Sequence, residues 1–160
     1  MAEPTEPRRP LLDAFLVATL CAFAATSMLV DRTAALDIIG PDSADPFARA
    51  MYWYGVRYDP LVVANPLFLQ VMSAISAFVF GPLYLWLARA LWRRDAAIRV
   101  PALLYVVAML YSMVVHVAVE VWGELPPPNM LVFVGVYTPY LVVPLLLAWR
   151  VRRRDPFASA

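Results

Sequence analysis

Lysine is missing altogether: every one of the 13 basic residues in this 160-residue chain is arginine. Charge of either sign is scarce, at 16% of residues where soluble domains carry about 25%. With 62% hydrophobic residues and a mean hydropathy of +0.67, that scarcity excludes a water-soluble fold, disorder and a nucleic-acid-binding surface. The net charge of +1 selects no partner by bulk electrostatics. Cys21 is alone, which excludes an internal disulfide framework and a cysteine-based metal cluster. No nucleophile elbow, phosphate loop or metal-spaced cluster is present, so neither a metal nor a cofactor is expected. Arginine in place of every lysine is the pattern of a GC-rich genome. The expected location is therefore a bacterial cytoplasmic membrane, or the endoplasmic reticulum if the source is eukaryotic.

What the chain does have is long uncharged runs. They are Ala14–Val30, Pro60–Ala88, Val100–Val119 and Leu125–Trp149, of 17, 29, 20 and 25 residues. About 20 apolar residues cross a bilayer as a helix, and backbone groups in lipid must be satisfied within the segment. The fold expected is an all-α, four-helix transmembrane bundle forming one domain over residues 1–160. Its helices fall at about 12–30, 66–91, 100–122 and 130–150. A signal peptide is the competing reading of the first, because Arg8 and Arg9 precede it and Ala22-Phe23-Ala24 resembles a cleavage site.

With both termini inside, the inner segments hold Arg8, Arg9, Arg89, Arg93, Arg94, Arg99, Arg150, Arg152, Arg153 and Arg154, ten of the 13 arginines. The positive-inside rule then predicts cytoplasmic termini. Pro101 suits the first turn of helix three. Asp59-Pro60 and Asn65-Pro66 each offer a cap followed by proline, so helix two can begin at either. Pro82, Pro139 and Pro144 fall inside helices two and four and are expected to kink them. Ala14, Ala18, Ala22 and Ala25 give helix one a small face suited to close packing. Glu124 to Asn129 reads as a stiff outer turn.

The outer loop from Asp31 to Asp59 carries five aspartates and the run Tyr52-Trp53-Tyr54. Asp45-Pro46 is placed to start a short helix through Gly55. The aromatics suit an interfacial belt or a lid over a cavity between helices. Asp31 and Asp59 stand at the membrane boundary. A carboxylate deep in the membrane costs about 2.5–3.5 kcal/mol on insertion scales, so each needs a capping role, a partner or a function. His116 and Glu120 are four residues apart and share a helix face. Together they suit a proton relay or a hydrogen bond inside the bundle. Ser73 and Ser76 read as packing serines, and Tyr137 and Tyr140 straddle Pro139.

These residues resemble a known family. Met28-Leu-Val-Asp31, Trp53-Tyr54 with Asp59-Pro60-Leu61, Gly81-Pro82-Leu83-Tyr84-Leu85-Trp86, Pro101-Ala-Leu-Leu-Tyr105 and Val136-Tyr-Thr-Pro-Tyr140-Leu-Val-Val-Pro144 are similar, in order and spacing, to the EXPERA superfamily. That superfamily groups sigma-two receptors, emopamil-binding sterol isomerases and related four-helix membrane proteins. The resemblance covers about residues 12–150. It implies that Asp31 matches the helix-one acid that pairs with a ligand amine in the sigma-two branch. Asp59 then matches the second acid that supports it, and Tyr140 a pocket-lining tyrosine. In the isomerase branch the helix-one acid works with a histidine one turn earlier, where this chain has Ser27. Both branches carry a buried helix-two glutamate, where this chain has Ser73 and Ser76.

The resemblance implies a multi-pass membrane protein binding a sterol-like lipid or other amphiphilic, cationic small molecule in an intramembrane cavity. Its site residues would be Asp31, Asp59, Tyr137, Tyr140, Tyr54 and Trp53. One alternative is a double-bond isomerase using His116, Glu120 and Asp31 for acid–base catalysis. Another is a membrane chaperone or trafficking partner. The partners expected are a membrane lipid or amphiphile, with no nucleic acid; a second copy of the chain is allowed.

Overall fold

The computed structural model describes residues 11–157. Arg8, Arg9 and the other residues outside that range lie beyond the described part. Among the described residues the structure is helical, and four helices are long and apolar enough to cross a membrane. These are α1 (Leu11–Ala35), α4 (Leu67–Arg93), α5 (Ala96–Trp122) and α6 (Met130–Val151). Between α1 and α4 lie two shorter helices, α2 (Pro46–Tyr58) and α3 (Pro60–Ala64).

α1 packs along the second half of α4, and α5 along the second half of α6. The core is read off their helical spacing: Leu16, Leu20 and Phe23 from α1, Tyr84, Leu87 and Leu91 from α4, Ala102, Tyr105, Met109 and Met113 from α5, and Val143, Leu147 and Val151 from α6. Each set repeats at three or four residues, the spacing that keeps side chains on one helix face. Helix one therefore packs with its large residues. Ala14, Ala18, Ala22 and Ala25, expected to be its packing face, are exposed instead. Leu16 and Leu20 lie on the buried face, where larger side chains make more van der Waals contacts than alanines would.

α1 runs five residues past the expected end near Val30. It passes through a π turn at Ser27–Asp31 and closes with Arg32–Ala35. The two charges at this point do not stop the helix because both are partnered. Asp31 accepts from Ser76 Oγ at 2.6 Å, and Arg32 pairs with Asp45 at 2.6 Å. Asp45 also caps α2 as expected, accepting from the amides of Phe47 and Ala48. Burial acts to raise its carboxyl, but the Arg32 guanidinium and the two amides outweigh that and hold it below the ordinary range. α2 continues to Tyr58 rather than stopping at Gly55.

Both proline starts expected for helix two are used. Pro60 opens the one-turn helix α3, and Pro66 precedes α4. Asn65 joins them in the left-handed region, with φ 40°. Its side chain donates to the Ala34 carbonyl and to Asp37, tying this corner to the end of α1.

The proline sites are accommodated by backbone irregularities. A π turn at Ser76–Phe80 precedes Gly81-Pro82. A wide turn there answers a ring that lacks an N–H and crowds the carbonyl four residues back. It stands beside the π turn of α1, where the helices approach closely. A Cβ built on Gly81 would stand 2.5 Å from Met28 Cγ. α6 runs through Thr138 with helical backbone and hydrogen bonds on both sides of it; Pro139 begins its second half, and Pro144 lies inside that half.

At the opposite end of the bundle, Arg150 of α6 grips Asp13 of α1 through Nε and Nη2, at 2.5 and 2.9 Å. The same guanidinium donates to the Pro156 carbonyl and lies over the Phe157 ring.

Candidate functional site

The polar side chains of the bundle fall into two groups. The first surrounds Asp31. Its π turn meets the π turn of α4, so the Asp31 carboxylate faces Ser76. Ser76 Oγ lies 3.0 Å from Ser27 Oγ, forming a chain of two hydroxyls and a carboxylate. Among the described residues no arginine or histidine pairs with Asp31. A cluster of aromatic rings stands near this group. Phe23 stacks on Tyr140 at 4.6 Å and meets Tyr84 edge-on at 5.7 Å. Tyr84 meets Tyr105 edge-on at 5.2 Å. The hydroxyls of Tyr84 and Tyr105 face each other without closing a hydrogen bond, and both are buried. Tyr84 and Tyr140 are near enough to Asp31 to feel its charge.

The second group lies where α2 and α3 meet α5 and α6. Asp59, fully buried between α2 and α3, accepts a hydrogen bond from Tyr137 Oη at 2.9 Å. Glu120, likewise fully buried, is near enough to feel its charge. His116 Nε2 is 3.6 Å from Glu120 Oε1, longer than a hydrogen bond. The His116 ring packs against Tyr137 at 4.6 Å. Tyr54 reaches in from α2; burial, then the charges of Asp59 and Glu120, pushes its phenol up to about 12. It therefore stays a hydrogen-bond donor at any physiological pH. Tyr54 Oη, Asp59 Oδ1, His116 Nε2 and both Glu120 oxygens are buried without a hydrogen-bond partner. Buried polar atoms are almost always paired, so such a concentration marks a place for a proton, a water or a ligand group.

The residues named from sequence thus separate. Asp31 and Tyr140 belong to the first group, and Tyr54, Asp59, His116, Glu120 and Tyr137 to the second. Asp59 is partnered by Tyr137, not by Asp31. Trp53 is 64% exposed and joins neither. Ser76, read from sequence as a packing residue, holds the Asp31 carboxylate instead. Ser27, Tyr84 and Tyr105 also enter the first group. From sequence, Ser27 and Ser76 stood out only as replacements for acid–base residues of the family, and Tyr84 and Tyr105 only as members of matched motifs. Among the described residues no cluster of histidine, cysteine and carboxylate is arranged to hold a metal ion.

No curated protein and no solved structure matches the chain. A family model described as EBP, EXPERA (expanded EBP superfamily), matches residues 46–151, about two thirds of the 160 residues. The matched stretch takes in Tyr54, Asp59, His116, Glu120, Tyr137 and Tyr140; α1, with Asp31, precedes it. This four-span membrane protein belongs to the EXPERA family.

Proposed function

We propose that the chain binds an amphiphilic small molecule or lipid between its helices, with a cationic or hydrogen-bonding head received at Asp31. The observation that carries this is an acidic side chain that, among the described residues, has no cationic partner, stands near aromatic rings and is fixed by neutral hydroxyls. Ser76 and Ser27 orient the carboxylate without cancelling its charge. Tyr84 and Tyr140 stand near the carboxylate, and aromatic rings beside an acid suit an ammonium. A mostly apolar lining with few placed polar groups is the make-up of an amphiphile site. The resemblance of Asp31 to the amine-pairing acid of the sigma-two branch agrees with this reading.

The test is titration of the purified chain in nanodiscs with a long-chain tertiary amine and with the uncharged alcohol of the same skeleton. A charge-assisted hydrogen bond is worth about 1.5–3 kcal/mol. The amine should therefore bind about tenfold or more tightly than the alcohol. Equal affinities would remove Asp31 from the reading.

The second group favours a second reading, a double-bond isomerase. Moving a double bond needs one group to deliver a proton and another to take one. Asp59, Glu120 and His116 place three proton-holding groups together, with Tyr54 and Tyr137 as fixed donors. Incubation with an unsaturated sterol in deuterated water separates the two readings. Deuterium entering the lipid with wild type, and not with Glu120→Gln, would establish the enzyme; binding without exchange supports the receptor-like role.

A further inference from the structure

At the end of the bundle away from both polar groups, the surface between α1 and α4 is hollowed into an open groove of about 450 Å³. Its walls are Val17 and Cys21 of α1 and Leu85 and Ala88 of α4, and its rim carries Arg89 and Arg93. Arg93 is the last residue of the α4 span, and Arg89 stands one turn before it on the same face. Both arginines are exposed. Among the described residues neither is in an ion pair. The nearest acid along α1, Asp13, lines the adjoining recess but is held by the bidentate grip of Arg150. Asp95, just beyond the helix end, caps the turn that follows by accepting from the Ala97 amide. The groove therefore joins an apolar floor to two guanidinium groups without an ion pair among the described residues, at the end of a helix long and apolar enough to cross a membrane.

We propose that this groove is a binding site for an anionic phospholipid. The phosphate would lie between Arg89 and Arg93, with one acyl chain along Val17, Cys21 and Leu85. Guanidinium groups present paired donors that match phosphate oxygens. Trp92, on the same rim, is the residue type that settles at the headgroup level. The site is independent of the Asp31 site: the rim charges are positive and the ligand head is an anion.

Cys21 is the sole cysteine of the chain and is exposed in this groove, so it serves as the reporter. Bimane-labelled protein is placed in phosphatidylcholine nanodiscs doped with brominated phosphatidylglycerol or with brominated phosphatidylcholine. A juxtamembrane arginine contributes about 1 kcal/mol toward anionic lipid, so two should favour phosphatidylglycerol by about thirtyfold, read as stronger quenching. R89Q/R93Q should reduce the preference to near unity, whereas R152Q/R153Q should leave it in place. Native mass spectrometry of unlabelled protein, counting retained phosphatidylglycerol, should follow the same order. Equal quenching by the two lipids in the wild type would overturn the proposal. So would a preference that survives R89Q/R93Q, or one that R152Q/R153Q lowers just as much, since that is diffuse surface charge.

Discussion

The ion pair between Asp13 and Arg150 shows how a single residue is made tolerable in this bundle. The side chains are 6% and 14% exposed, and the contact is bidentate. Removing one partner strands the other, at a cost of about 3–5 kcal/mol, whereas replacing both with apolar residues is often neutral. Asp13→Asn should therefore lower thermal stability in detergent markedly, while Asp13→Leu with Arg150→Met should sit close to wild type. A double variant as unstable as the single one would show that packing, not charge, is at issue. Asp59 and Glu120 present the opposite case, two neighbouring buried carboxyls with no arginine paired to either among the described residues. Glu120→Gln offers an amide donor near Asp59 and removes the conflict between two neighbouring acids, so the melting temperature should rise or hold. A clear fall would mean that the Glu120 charge has a stabilising partner. The residue-level roles were only partly legible. Asp31 and Asp59 stand out in sequence as acids at membrane boundaries. Their partners do not, because Ser76 and Tyr137 lie 45 and 78 residues away and reach them only through the packing of helices.

Helices were more legible than contacts. The four uncharged runs mark the four spans because a bilayer demands length and apolarity together. Asp45-Pro46 marks the start of α2 because the capping carboxylate and the following proline both answer the unsatisfied amides of a first turn. Less visible were the two π turns and the extension of α1 through Asp31 and Arg32. Both follow from tertiary partners rather than from local propensity. The corner between α2 and α3 rests on Gly55. A Cβ there would stand 2.6 Å from Val63 Cγ2 and 3.3 Å from the Val63 amide nitrogen. Valine is stiff at its branched carbon, and the backbone cannot step aside. Gly55→Ala should cost about 1–3 kcal/mol, in the range of overpacked cores. Adding Val63→Ala should recover part of that loss in thermal unfolding. No recovery would place the strain in the α2 backbone itself.

For the molecule as a whole, four spans return the chain to the side on which it started. The arginine distribution predicts that this side is the cytoplasm. In a Cys21→Ser background, a cysteine at Ser159 should resist an impermeant thiol reagent applied outside, and one at Ser43 should react. The reverse pattern would invert the topology. The predicted orientation would place the arginine rim of the α1–α4 groove in the inner leaflet and the Asp31 group toward the outer face. The central claim is that Asp31 receives the head of an amphiphile. Its most direct test is titration of a cationic amphiphile against folded wild type, Asp31→Asn and Glu120→Gln in nanodiscs. Asp31→Asn should weaken binding by about tenfold to a hundredfold, the equivalent of one charge-assisted hydrogen bond, and Glu120→Gln should weaken it less. Unchanged affinity in Asp31→Asn, or a larger loss in Glu120→Gln, would contradict the account.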